Sequence, residues 1–164
     1  MKKHVLALMA VLAIYAHIAK MTPAFAADAA CSSIRAMVDK FNATPRIRVV
    51  GTDYLGTTHF TTLYVDTKQW WHNDSGPWHI KPRQYSKPSN IESCEHLGSE
   101  TIDGVQTEIW SYHHLSYQQV DNFKSWISVD TGLPIKSHFK WVRPKDFVEG
   151  DVTYTYGPDI KDPV

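Results

Sequence analysis

From Arg46 to Tyr156 the side chains alternate in character with a period of two, and short turn-forming clusters break the alternation at intervals. Asn73-Asp74-Ser75-Gly76-Pro77, Asp103-Gly104, Asp130-Thr131-Gly132 and Glu149-Gly150-Asp151 each lie between β-prone runs. Glycine supplies the positive φ that tight hairpin turns demand. Strands joined by turns this short must be antiparallel neighbours. The pattern predicts strands at 46–52, 58–65, 68–72, 77–81, 97–102, 105–114, 123–129, 134–142 and 147–156, in a meander of hairpins.

Before the strands the period is helical. Ile34, Met37, Val38 and Phe41 fall at i, i+3, i+4 and i+7, one apolar stripe over residues 32–42. Arg35, Asp39 and Lys40 take the opposite side, Ser32 or Ser33 can cap the start, and Pro45 favours a stop. Such a stripe packs against a sheet. Residues 82–95, with two prolines and little alternation, read as a loop with one short helical turn at Ser89 to Ser93. The expected fold class is mainly β: a curved antiparallel meander with an N-terminal helix packed on it.

Several strands carry large apolar groups on both faces. Trp110, Tyr112 and Glu108 oppose Ile109 and Ser111; Trp126 opposes Phe123 and Ile127; Phe139 and Trp141 oppose His138 and Lys140. A sheet with one wet face reads apolar on one side and polar on the other. One helix cannot cover both sides of eight or nine strands. Either the sheet curls into a partial or full barrel, or an aromatic surface stays open for a ligand. Pairing register decides which strand face is concave.

The first residues have the parts of a secretory leader. Lys2 and Lys3 precede an apolar run from Val5 to Ile14, and Ala24-Phe25-Ala26 is a small-x-small cleavage site. Ten apolar residues are too few to span a bilayer, which needs about 20. Lipid attachment at Cys31 is disfavoured, because Asp28 stands three places before it. The expectation is a signal peptide at 1–26, cleavage near Ala26/Ala27, a mature domain at 27–164, and a periplasmic location. Cleavage removes Lys2, Lys3 and Lys20 from 17 basic groups, leaving 14 against 17 acidic ones. That mild negative charge argues against nucleic acid as a partner.

Cys31 and Cys94 are the only cysteines. In an oxidising compartment an even pair reads first as a disulfide; a redox or metal pair would want a C-x-x-C that is missing.

Trp126-Ile127-Ser128-Val129-Asp130-Thr131-Gly132-Leu133-Pro134-Ile135-Lys136 resembles the tryptophan strand and G-L-P hairpin of LolA-like periplasmic proteins. Gly98 to Val105 looks like the family's D-G hairpin, and Val152 to Pro158 is similar to its closing Y-x-Y strand. The resemblance implies a curved half-barrel with helical elements on its concave side. It also implies a role in binding acyl chains or sensing envelope components. The chain looks most like members with no assigned activity. It is shorter than the carrier proteins, and only 82–95 is available as a lid.

No G-x-S-x-G, P-loop, G-x-G-x-x-G or H-E-x-x-H occurs, and no cofactor, metal site or enzymatic activity is expected. His113 and His114 point to opposite faces of one strand, and the other histidines are scattered. Trp70-Trp71 with Trp78 suits cross-strand packing more than a carbohydrate platform. Two functional readings follow. In the first, a non-enzymatic periplasmic protein holds an apolar small molecule, lipid or lipoprotein acyl chain against Trp110, Tyr112, Trp126, Phe139 and Trp141. In the second, an envelope interaction or sensor protein binds another protein through its edge strands and the 82–95 loop.

Overall fold

The computed structural model describes residues 23–53, 58–116, 119–142 and 147–163. Helix α1 spans Pro23–Ala43. Nine strands follow: β1 (Arg46–Asp53), β2 (His59–Val65), β3 (Lys68–Asn73), β4 (His79–Pro82), β5 (Ile91–Ile102), β6 (Val105–Ser116), β7 (Gln119–Ser128), β8 (Pro134–Val142) and β9 (Phe147–Tyr156). They form one antiparallel sheet in the order β4-β3-β2-β1-β9-β8-β7-β6-β5. The sheet is curved and does not close, so β4 and β5 remain its edges. The expected curved antiparallel meander with its N-terminal helix is the fold this chain adopts.

Turn chemistry sets the hairpins. Asp103 and Gly104 both take positive φ, 49° and 81°, between the paired residues Ile102 and Val105. That is the requirement of a two-residue turn whose twist matches its strands. At the G-L-P hairpin, Gly132 takes φ 63° and donates to the Ser128 carbonyl at 2.8 Å.

The helix begins upstream of its predicted start and includes the expected Ala26/Ala27 junction; residues 1–22 of the expected 1–26 leader lie outside the described residues. Its stripe does face the sheet. Ile34 is fully buried, and Met37 and Val38 nearly so, against Ile91, Tyr112 and Ile127. Each such side chain contributes roughly 1.5–3 kcal/mol on burial. Cys31 and Cys94 are bonded, Cα to Cα 5.1 Å, tying the helix to edge strand β5.

The 82–95 segment is less of a loop than its composition implies. Only residues 83–87 are irregular; a 3-10 turn covers Pro88–Asn90, and β5 starts at Ile91 instead of 97. The cause is local. β5 has two irregularities, between Glu92 and Glu95 and between His96 and Gly98. Ser93 takes φ 53° and Gly98 φ 121°. Each bulge shifts which residues face inward and so erases the period-two signature. Cys94 therefore sits on a strand.

The β4–β5 connection must travel from one edge of the sheet to the other, and it does so along the end of the helix. Arg83, only 7% exposed, donates from Nη1 to the Thr44 carbonyl (2.8 Å) and from Nη2 to that of Phe41 (3.0 Å). A cation there satisfies terminal carbonyls and complements the helix dipole. Asn42 Nδ2 donates to the Ser86 carbonyl at 2.7 Å. After β9 the C-terminal residues return over the convex face. Ile160 buries against Leu63 and Val65, and Arg46 Nη1 donates to its carbonyl at 2.7 Å.

Candidate binding trough on the concave face

Cross-strand register places one set of residues on the concave side from end to end. Tyr112 pairs with Phe123, Phe123 with Phe139, and Phe139 with Gly150. Val152 pairs with Gly51, and Gly51 with Phe60. Helix α1 lies over part of this surface, and its Phe41 ring meets Tyr64 and Tyr154 edge-on at 5.8 and 6.0 Å. The rest of the concave face stays uncovered as a trough of about 470 Å³. It is lined chiefly by Val49, Phe60, Tyr64, Phe139, Trp141 and Tyr154. A second recess of about 410 Å³ shares Phe60, Phe139 and Trp141 and extends along β3 to Trp71 and Lys81. Small-molecule sites typically occupy about 300–1,000 Å³ and are mostly apolar.

The floor is well ordered by packing. Phe139, 2% exposed, meets Trp141 at 4.6 Å and Phe60 edge-on at 6.3 Å between ring centroids. Phe60 reaches across β1 because Gly51 has no side chain: a Cβ there would collide with the Phe60 ring and come within 2.8 Å of Val152 Cγ1. Beside the aromatics runs a short hydroxyl chain. Tyr112 Oη and Ser125 Oγ are 3.1 Å apart, Ser125 and Ser137 2.7 Å, and Tyr154 Oη donates to Ser137 Oγ at 3.2 Å. The serines are small enough for tyrosine rings to lie beside them, and the shared hydrogen bonds satisfy groups that burial would otherwise penalise. Desolvation pushes the Tyr112 hydroxyl up to about 12, opposed by its bond to Ser125. It raises Tyr154 and Tyr156 further. Tyr64 is raised too, with the Arg83 guanidinium working against the shift.

Of the five residues expected at a ligand site, Tyr112, Phe139 and Trp141 line this trough. Trp110 is on the same face but on the far flank of the helix, in a separate recess with Met37, Lys40 and Ile127; its Nε1 donates to Glu108 at 3.3 Å. Trp126 lies on the opposite, convex face. It pairs with Ile109 and Lys136, and the Lys124 and Lys136 ammonium groups lie 5.0 and 4.9 Å from its ring centre. A molecule in the trough cannot touch it. Alternation alone could not exclude Trp126, because faces are assigned only when register is known. Phe60, Tyr64 and Tyr154 were missed for the same reason, though each alternates in step within its own strand.

Elsewhere on the convex face, away from the cluster of Leu63, Val65 and Ile160, charged side chains pair across β8 and β9. His138 Nε2 donates to Glu149 at 2.9 Å, its Nδ1 lies 3.3 Å from Asp151, and Lys140 is 3.6 Å from Glu149. The hydrogen bond from His138 is the main reason the Glu149 carboxyl sits below its ordinary range. Among the described residues no three His, Cys, Asp or Glu side chains converge as metal ligands, and no helix is long and apolar enough to cross a membrane.

The sequence matches no family model and no curated protein. The fold does match solved structures. The lipoprotein LppX of Mycobacterium tuberculosis superposes with a TM-score of 0.51 at 10% identity, over 82% of this chain and 98% of that one. LprF from Mycobacterium bovis gives 0.51 at 11% identity, over 84% and 97%. This chain therefore shares the open, curved-sheet fold of these proteins at an identity too low to transfer more than architecture.

Proposed function

We propose that this chain is a non-enzymatic periplasmic binding protein, exported by a leader cleaved near Ala26/Ala27, that holds an acyl chain, lipid or similar apolar ligand in the concave trough. One observation carries the reading: an aromatic-lined trough of about 470 Å³ that helix α1 leaves open. Water in such a space gains little from its walls, and an acyl chain laid along it removes apolar surface on both partners at about 25 cal/mol per Å². Tyr112, Phe139 and Trp141, joined by Phe60, Tyr64 and Tyr154, form the contact surface. Trp110 and Trp126 are outside it.

A protein partner bound through the sheet edges is the second reading, and edge geometry weighs against it. β4 has four residues and ends in Pro82, while β5 is broken by two bulges. Short strands, proline and bulges are how sheets avoid pairing with another strand. Native mass spectrometry of the mature chain, purified from the periplasm without detergent, tests the first reading. The expected result is a co-purifying lipid, or uptake of a fluorescent fatty acid by the stripped protein. Protein that is empty and also refuses the probe would put the edge-binding reading ahead.

A further inference from the structure

Among the described residues lining the trough and its extension, one Lys, Arg, Asp or Glu side chain occurs, and it is Lys81. It belongs to edge strand β4 and faces Gln69 across the β3–β4 pair. Its ammonium donates to Gln84 Oε1 at 3.0 Å and lies 5.2 Å from the centre of the Trp71 ring. Both neighbours are neutral, and no described carboxylate pairs with it. Gln69, on the same wall, has a buried amide oxygen without a hydrogen-bond partner. A half-buried cation at the rim of an apolar trough, beside an unsatisfied amide, is a polar terminus for something that is otherwise greasy. An amide can turn either its N–H or its carbonyl toward a ligand. At the opposite wall His114 lines the trough, with Nδ1 3.6 Å from the buried Asp121 carboxylate, which also accepts from Ser116 Oγ at 3.0 Å.

Resting on the trough reading above, we infer that the ligand is a single-chain amphiphile with an anionic head, held head-first at Lys81 and Gln69. Its chain runs over Phe60, Phe139 and Trp141 toward the β6–β7 wall. A neutral diacyl or triacyl lipid leaves Lys81 without its counter-charge and binds less tightly. The shared chemistry is the negative head; a carboxylate and a phosphodiester both supply it.

Competition of palmitate, methyl palmitate and 1-palmitoyl-lysophosphatidylglycerol against a bound fluorescent probe, below their micelle concentrations, tests this. A charge-assisted hydrogen bond at a half-exposed site corresponds to about a ten-fold preference for either anion over the methyl ester. In Lys81→Met that ratio falls to about one, and Lys81→Arg restores it. The stronger of the two anions identifies the source of the charge. A wild type that binds ester and anions equally, or a preference that survives Lys81→Met, overturns the head-group assignment while leaving the trough intact. Failure of all three to displace or replace the probe removes the trough reading itself.

Discussion

Trp141 and Trp126 are both strand tryptophans with a polar residue before them and an apolar one after, yet they stand on opposite faces of the sheet, so truncating each separates ligand contact from packing. An aromatic side chain offers about 150–250 Å² for burial. Trp141 is already half-covered by Phe139 and Val148, which leaves about 100 Å² for a ligand. At about 25 cal/mol per Å² that is roughly 2.5 kcal/mol. Neighbours relax into the gap, so Trp141→Ala is expected to weaken fatty-acid uptake by about ten- to seventy-fold. Trp126 touches nothing in the trough. Its two lysine contacts are worth about 0.5–1 kcal/mol each at exposed sites. Trp126→Ala should therefore lower stability by about 1–2 kcal/mol and leave affinity within about two-fold. Fluorescence titration with an acyl probe and urea denaturation, run on both variants, give the four numbers needed. Equal loss of affinity in the two variants would mean that the concave face is not the binding face. Unchanged affinity in Trp141→Ala would refute the contact surface proposed for the trough.

Three further outcomes are expected. Cys31 and Cys94 are 63 residues apart, and on the chain-entropy relation Cys94→Ser should cost about 4 kcal/mol; a non-reduced mass showing two alkylatable thiols, or an unchanged urea midpoint, contradicts this. Gly51→Ala drives a methyl group into the Phe60 ring and Val152, so a loss of about 1–3 kcal/mol is expected from overpacking, measured as a fall in melting temperature, with probe uptake reduced as Phe60 is displaced into the trough. For pH, the folded Tyr112 hydroxyl titrates near 12, above its ordinary value of 10.0; its stabilising share is complete below pH 10 and is lost as pH climbs toward 12, about 3 kcal/mol in all. Tyr112→Phe should flatten that alkaline decline, and tyrosinate absorbance rising fully near pH 10 in still-folded protein would count against it.

Much of the fold is legible in local chemistry, because the period of a strand and the φ demanded by a turn are properties of adjacent residues. Asp103-Gly104 and Gly132 mark hairpins that form where the sequence places them. The stripe Ile34, Met37 and Val38 faces the sheet as its spacing predicts. The two cysteines, alone in the chain, are bonded. The strand expected at 97–102 is the second half of β5; the first half, from Ile91, escaped because its bulges shift side chains between faces and erase the alternation. The trough itself depends on long-range pairing. Whether Trp141 or Trp126 looks inward follows from the register of β7 and β8 against their neighbours, since a slip of one residue exchanges every face, and only the pairing of β1 with β9, Ile47 opposite Tyr156, joins the two halves of the trough. Lys81 shows the same limit from the other side. Its isolation from the described carboxylates is a statement about what the curved sheet brings near β4, and no window of sequence around it contains that information.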